Sequence, residues 1–591
     1  MDSESTLPAA TYRLRQGPAG RFVLLAVSAQ MFGVVGALPA CSDPPPLELG
    51  FSRVPMEWRA GAKPGQVGTE ALPEHGENVA GLLQEMVPIL MEGSEDPEWM
   101  LYELTEWSME QLRSKTENLE AGRYAFDFEP GSGLELPPDV RAVVLRRGEE
   151  KVAIVRADLY LMHEQLLRRV AGLVEPETGL DLDRIFLSGT HNHSAPHAIS
   201  AAIGPWMMAD TFDARHFAYV SRTVAKAIIE ADRELRPAVL RAGSSSFRRV
   251  QMNIIGPGVE SMEPPGGGDP VDVEVGYPRD HFDDELTILR FEVPGDEPGE
   301  AAGEHLCSIF VLGMHPESLP GGHGLTSGEW PLHVERKLEE QHEGFFMWLP
   351  GALGDVEPDS GRLNPDHDFW RTGFEAMDRM SELIADGVTE AWRETASAPA
   401  RARPWLAQIA REVPGPEDYP MPDSTYLGGF RLPVPRVLGD TTTIRIHLVR
   451  LGDVLLAGLP AETVTDLSWN IKSRIGSEYD SVYQGHVFDA APSWVRERIG
   501  RNFSTDSLPE ELRARLPVIV NMTGGYIGYV VTRWEYENRD HYRQSLTTFG
   551  AGTAEHLASS VVGLAREMHG GEPYETAKQP WHRADEEGAG M

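Results

Sequence analysis

Cysteine, basic charge and long apolar runs are all scarce in this chain, and each scarcity removes a class of protein. Of 591 residues only two are cysteine, Cys41 and Cys307, so a disulfide framework is excluded. Cys307 lies in the apolar run Leu306-Cys-Ser-Ile-Phe-Val-Leu312 and reads as core packing. Lysine and arginine number 53 against 91 aspartate and glutamate, a formal net charge of -38. Nucleic-acid binders draw their affinity from basic contacts to phosphate, so no nucleic-acid partner is expected, and the acidity reads as solubility. Beyond the segment Phe22 to Leu38, no stretch is long and apolar enough to span a bilayer. No internal repeat is found. What remains is a globular composition with length enough for several domains or one large enzyme domain with insertions.

The ends of the chain read as processing and solvent-facing segments. Arg13, Arg15 and Arg21 precede the apolar run, and Leu38-Pro-Ala-Cys41 follows it, the pattern of a secretory signal. The last four residues resemble a bacterial lipobox, so residues 1–41 are read as a leader and Cys41 as a lipidated site of membrane association. The expected location is outside the cytoplasm: an outer-membrane or periplasmic lipoprotein of a bacterium, or a secreted protein. Residues 42–77 are then a tether with a short strand from Leu47 to Met56. Residues 78–135 read as a helical insertion, with Val79, Leu82, Leu83 and Met86, and again Met100, Leu104 and Trp107, at helical spacing. Such stripes are more often helix-to-core contacts than a lid. Residues 573–591 are a polar tail.

Between them, residues 136–572 alternate strand and helix patterns. A hairpin spans 141–158, a helix about 161–173, a buried strand Arg184-Ile-Phe-Leu187, and a long amphipathic helix 213–235 with Phe217, Val220, Val224 and Ile228 on one face. Residues 256–283, rich in proline, glycine and acidic side chains, read as a loop excursion, and 400–437 as a Pro-rich connection. Strands follow at 286–293, 306–312, 345–349, 442–451, 454–458 and 516–520. The expected class is α/β, mixed sheets flanked by helices, in a single large catalytic domain with loop insertions.

The chemistry-bearing residues fall where these strands end. His191 and His193 leave the strand at 184–187, with His197 beyond Pro196; residues two apart in an extended segment point the same way, so the first two can address one cavity. Imidazole is the commonest metal ligand and titrates near neutrality, so this pair suggests a metal or an acid/base site. Asp158 stands at another strand exit. Gly313-Met-His315-Pro-Glu-Ser, Gly354-Asp355-Val-Glu357-Pro, Pro460-Ala-Glu462-Thr and Gly525-Tyr-Ile-Gly-Tyr529 supply further donors. Taken singly, Glu462 also reads as a helix-start charge and Tyr529 as a buried aromatic. Ser327-Gly-Glu-Trp-Pro331 opens a helix, with proline where its missing N–H costs nothing.

Taken in order with Ser188-Gly-Thr-His-Asn-His-Ser, these motifs resemble the neutral/alkaline ceramidase family, zinc amidohydrolases that cut the N-acyl bond of ceramide. The resemblance runs from about residue 50 to 570 and implies one Zn2+ per chain held by His191, His315, Glu462 and Tyr529. It further implies His193 as a contact to substrate or catalytic groups and Tyr542 as donor to the developing oxyanion. Few residues follow the last motif, so the family's C-terminal immunoglobulin-like domain is not expected in this sequence. Two departures stand out. Glu357 occupies the place of the family's serine in Gly-Asp-Val-Ser-Pro, and Gln251-Met-Asn-Ile254 lacks the family's arginine. Glu357 is read foremost as a general base, with an extra ligand or a solvated loop charge as alternatives, and Asp355 beside it as a further catalytic candidate. The expected substrate is an amide or ester of a lipid-like acyl group. The rivals are a catalytically degenerate lipoprotein that binds without turnover and a hydrolase of a small polar amide.

Overall fold

The computed structural model describes residues 45–56, 133–195, 214–255, 257–262, 271–276, 279–296, 301–319, 325–359, 373–415, 443–477, 479, 506–538, 543, 547 and 549–574. Cys41, the helical stripes between 78 and 132, His197, Tyr542 and the tail beyond 574 lie outside the described residues.

Why the chain forms two stacked sheets follows from strands that are apolar on both faces. Strand β1 (Leu47–Pro55) comes first, then β2 (Gly133–Leu136) and the hairpin β3 (Asp139–Arg147) and β4 (Glu150–Ala157). Helix α1 (Glu164–Thr178) carries the chain to β5 (Ile185–Gly189), parallel to β4. The helix starts and ends later than its periodicity suggests: it runs through Pro176 and stops at Gly179, whose φ of 73° no β-carbon opposes. Helix α2 (Ala214–Arg233) leads to β6 (Arg236–Ser246), β7 (Gln251–Asn253), β8 (Pro257–Met262), β9 (Val271–Gly276), β10 (Glu285–Pro294) and β11 (Ala301–Leu312). After β12 (Leu325–Ser327), helix α3 (Glu329–Gln341) crosses to β13 (Phe345–Pro350), parallel to β11, followed by β14 (Val356–Pro358) and α4 (Phe374–Thr395). The last third holds β15 (Leu406–Pro414), β16 (Thr443–Leu451), β17 (Val454–Gly458), β18 (Glu462–Thr463), α5 (Thr465–Ile475), β19 (Leu516–Val520), parallel to β17, then β20 (Tyr529–Val530), α6 (Arg533–Asn538) and α7 (Thr553–Met568).

An eight-stranded sheet in the order β13-β11-β10-β6-β1-β3-β4-β5 faces a four-stranded sheet, β15-β16-β17-β19. Leu49, Val143, Ile154, Ile309 and Met347 of the first pack with Val449, Leu456 and Val518 of the second in one core. The period-2 alternation of strands sends their neighbours outward. On that outer face Val140, Ala142 and Val144 of β3 meet Leu167, Val170, Val224 and Ile228 of α1 and α2. Phe310 and Leu312 of β11 meet Trp330, Met380 and Ile384 of α3 and α4. Leu455 and Ala457 of β17 meet Leu467, Ile471, Leu557 and Val561 of α5 and α7. The result is a helix–sheet–sheet–helix stack, and the mixed α/β class expected from the sequence is the one found. Truncating a side chain such as Met347 in this core removes roughly 2–5 kcal/mol of stability. No helix of the described residues is long and apolar enough to cross a membrane.

Some expectations are corrected. The supposed loop excursion at 256–283 contains an antiparallel hairpin, β8 with β9, registered Val259 to Glu274; the alternation of Val271, Val273 and Val275 carries it despite the surrounding glycine and proline. The supposed connection at 400–437 contains β15, an edge strand that pairs with β16 from Leu406–Leu451 to Pro414–Thr443. An edge strand needs only one apolar face, and its proline sits at the last position, where a missing donor does no harm. The end of the expected helical insertion, from Gly133, belongs to β2, which pairs in parallel with β12.

Candidate metal centre

Three β-α-β units, β4-α1-β5, β11-α3-β13 and β17-α5-β19, make the parallel pairs of the two large sheets, and ligand sites in α/β sheets form beyond the carboxyl ends of such strands. The loops leaving those ends are stitched together through backbone. Gly189 N–H donates to Met522 O (2.9 Å), Asn521 N–H to Pro350 O (2.8 Å), His315 N–H to Val356 O (2.9 Å) and Gly354 N–H to Thr463 O (3.0 Å). Gly354 is required there, because a β-carbon on it would sit 2.6 Å from the Glu462 carbonyl oxygen. Glu462 and Tyr529 face each other as register partners in the short parallel pair β18 and β20.

These loops bring the His191, His315 and Glu462 side chains together, with one ligand atom from each lying within 4.8 Å of the others. Glu462 Oε2 is 3.2 Å from His191 Nε2 and 3.0 Å from His315 Nε2. The opposite ring nitrogens are occupied: His191 Nδ1 lies 2.8 Å from Tyr160 O, and His315 Nδ1 lies 3.1 Å from Val356 O. A carbonyl oxygen can only accept, so each Nδ1 carries a proton, which leaves each Nε2, facing the Glu462 carboxylate, as the ring nitrogen that could bind a metal ion. Carbonyl acceptors of this kind fix the tautomer and ring orientation of ligating histidines in metal sites. The Tyr160 ring also stacks on His191 at 5.0 Å. Two imidazole nitrogens and a carboxylate, buried and convergent, form a group able to hold a metal ion.

Around that group the remaining donors take distinct places. Tyr529 Oη is 3.5 Å from His315 Nε2, and His193 Nε2 is 3.2 Å from His191 Nε2, so both stand at the cluster. His193 Nδ1 lies 3.5 Å from Glu317 Oε1. Glu357 approaches His315 from the Nδ1 side at 3.5 Å and lies 3.8 Å from Arg543 Nη2. Asp355 does not reach the cluster. It accepts from Thr465 N and Oγ1 (2.9 Å each) and from Asn253 Nδ2 (2.8 Å), tying the β13 exit to α5 and β7. Asp158 is likewise turned away, accepting from Asp139 N at 2.8 Å and pairing with Arg156 at 3.0 Å.

Electrostatics follow from burial and neighbours. Burial works to raise the pKa of Glu462, yet the His191 and His315 rings hold it well below the usual carboxylate range. Burial lowers His315, whereas for His193 the Glu317 carboxylate overcomes burial and raises it. Asp355 is pushed up to about 6 by burial, against the hydrogen bonds from Thr465. Strain collects here as well. His191, Glu329 and Met522 are the non-glycine residues with left-handed φ, at 61°, 52° and 55°, among the described residues, and such backbone tends to cluster at functional sites.

Comparison with known proteins supports the resemblance drawn from the motifs. Neutral ceramidase A of Dictyostelium discoideum is 22% identical over 251 residues, 40% of this chain and 33% of that protein, so the match spans about a third of the relative's length. The crystal structure of neutral ceramidase from Pseudomonas aeruginosa superposes with a TM-score of 0.60 at 16% identity, covering 90% of this chain and 76% of that one. A ceramidase complexed with C2 gives 0.59 at 15%, with the same coverage. This is the neutral ceramidase fold. No family model matches the chain.

Some residues at the site were not singled out in the sequence. Tyr526 Oη donates to Glu462 Oε1 at 2.6 Å, fixing the oxygen that does not face the histidines; it sits inside Gly525-Tyr-Ile-Gly-Tyr529, so the motif itself held the signal. Arg543 donates to Gly354 O and lies over the Tyr529 ring at 5.1 Å; its place beside Tyr542 was the available hint. Glu317 and Glu329, each in a motif already noted, were also passed over.

Proposed function

We propose that the chain is a zinc-dependent hydrolase of the neutral ceramidase type, cleaving the N-acyl amide, or an ester, of a lipid-like molecule. The observation that carries this is the tautomer lock: two buried imidazoles with both Nδ1 atoms on carbonyl oxygens and both Nε2 atoms on one carboxylate oxygen. Histidine, histidine and carboxylate is a recurrent catalytic zinc set, and Tyr529 supplies the fourth side. His191, His315, Glu462 and Tyr529 would hold the zinc, which when bound would supply polarisation of the scissile carbonyl and acidification of a water. Glu357 takes the proton of the attacking water, in the position where the resemblance expects serine. His193, the most accessible imidazole of the cluster, contacts the substrate or passes the proton to the leaving nitrogen. Asp355 acts through the backbone it pins, and Tyr542 keeps the oxyanion-stabilising role that the resemblance gives it. Export with a lipid anchor at Cys41 places the enzyme among lipid substrates.

The test is elemental analysis of the purified full chain, then hydrolysis of N-acyl amides and esters of graded acyl length with and without chelator. One zinc per chain and chelator-sensitive cleavage that improves with acyl length is the expected result. Absence of stoichiometric metal overturns it, and preference for short polar amides redirects it to the smaller substrate. A binding module without turnover is the second reading. Its support is Glu357, which meets His315 on the side away from the other ligands and is matched by buried Arg543; bound zinc with no cleavage across the whole panel is its signature.

A further inference from the structure

The Ser327-Gly-Glu-Trp-Pro331 motif has no place in the chemistry above, yet it touches both histidine loops. Asn192 Nδ2 donates to Ser327 O at 2.7 Å, and Ser327 N–H donates to Ser194 O at 3.1 Å. Trp330 Nε1 donates to His315 O at 3.0 Å. Between them stands Glu329, fully buried and held at φ 52° in a conformation that disfavours every residue with a β-carbon. One of its oxygens accepts from Ser194 Oγ at 2.6 Å; the other accepts from Ser318 N–H and Ser318 Oγ, both at 2.7 Å. Its own N–H donates to Ser327 Oγ at 2.9 Å. Ser194 directly follows His191-Asn-His193, and Ser318 closes His315-Pro-Glu-Ser.

We propose that Glu329 is a positioning residue for the metal centre, a hydrogen-bonding bracket that holds the His191 loop and the His315 loop at the separation their Nε2 atoms need. A buried carboxylate on a strained backbone persists only where its surroundings over-determine it, and here both carboxylate oxygens are engaged, one by each ligand loop. A helix start needs no such residue; α3 has no side-chain cap, and Glu329 turns its carboxylate away from its own helix toward Ser194 and Ser318. Supporting partners of metal ligands are worth about 10–100-fold in metal affinity. The bracket acts through geometry, so glutamine preserves it: the side chain keeps the reach, its amide oxygen accepts from Ser318 N–H and Oγ, and its NH2 donates to the Ser194 hydroxyl, which turns to accept.

The inference rests on the metal-centre reading, and one titration separates the two. Metal-stripped full-length protein is titrated with Co2+, following the visible ligand-field bands and the dissociation constant. Wild type is expected to bind one Co2+ with a spectrum of low coordination number. E329A and S194A are expected to bind at least about ten-fold more weakly with altered bands, and E329Q to stay within about three-fold of wild type. Wild type that binds no Co2+ overturns the metal centre and the bracket together. Wild-type affinity in a folded E329A, or in S194A should E329A not fold, overturns the bracket alone. Equal losses in E329Q and E329A also overturn it, since charge and not hydrogen bonding would then be what matters.

Discussion

Two of the buried clusters of ionisable side chains among the described residues meet the cost of buried charge in opposite ways. In the first, Arg141 and Arg156 lie among Asp139, Asp158 and Glu335, all with fully buried side chains. Arg156 reaches Asp139 at 2.7 Å, Asp158 at 3.0 Å and Glu335 at 2.6 Å, and Arg141 reaches Asp139 at 3.2 Å and Glu335 at 3.0 Å. The cations are part of the chain, and burial pushes the Asp158 and Glu335 carboxyls up to about 6 and about 7 against the pull of the two arginines. In the second, His191, His315 and Glu462 bring two imidazole nitrogens and a carboxylate to one point. The difference teaches what each cluster is for. A self-compensated network is complete when the chain folds and serves to fix strands β3 and β4 against α3. A converging pair of imidazoles and a carboxylate is a group that could hold a metal ion.

The sharpest way to break that contrast is to remove a ligand and then a base. His315→Ala is expected to lose both stoichiometric metal and turnover, the latter by more than about a thousand-fold, as measured by elemental analysis and acyl-amide hydrolysis. Glu357→Gln is expected to lose turnover by about a hundred-fold or more with metal content unchanged; if metal affinity falls instead, Glu357 orients His315 and is not the base. Breaking the first cluster has a different signature. Arg156→Met leaves buried carboxylates without their cation, an expected loss of about 3–5 kcal/mol in chemical denaturation, with metal stoichiometry retained in the folded fraction. Loss of metal in that variant would erase the distinction between the clusters.

The smallest expected effect concerns histidines that belong to neither cluster. Burial holds His163 and His447 neutral, both with pKa lowered to about 3. The unfolded chain takes up a proton at each below about 6.5 and the folded chain does not, so stability is full above that pH and falls as pH drops toward 3. Each contributes a slope of at most about 1.4 kcal/mol per pH unit. His447→Gln, which keeps a polar group beside Gln408 (3.2 Å from His447 Nε2), is expected to flatten the acid limb of a denaturation-versus-pH curve by one proton's worth. An unchanged slope would mean that His447 titrates normally in the fold.

The alternation of buried strands and helices was readable in the residues because strands covered on both faces have to be apolar at consecutive positions, as in Phe345-Phe-Met-Trp-Leu349. The hairpin β8–β9 and edge strand β15 escaped that reading because a strand with one covered face carries only half the signal, and proline and glycine masked it. Motif by motif, the family resemblance named His191, His193, His315, Glu462 and Tyr529 in advance; residue type alone left Glu462 open as a helix-start charge and Tyr529 as a buried aromatic. Their convergence was not legible in the residues. It depends on three parallel strand pairs ending at one edge and on backbone bonds between loops hundreds of positions apart, such as Gly189 to Met522. The same holds for which neighbours count. Asp355 and Asp158 shared the strand-exit signature but turned to Thr465 and Arg156, while Tyr526 and Glu329, inconspicuous in the sequence, turned to Glu462 and to the His191 and His315 loops. Residue type alone determines what a side chain is able to bond; only packing sets its distance and direction, and hydrogen bonding and metal coordination fall away within about an ångström.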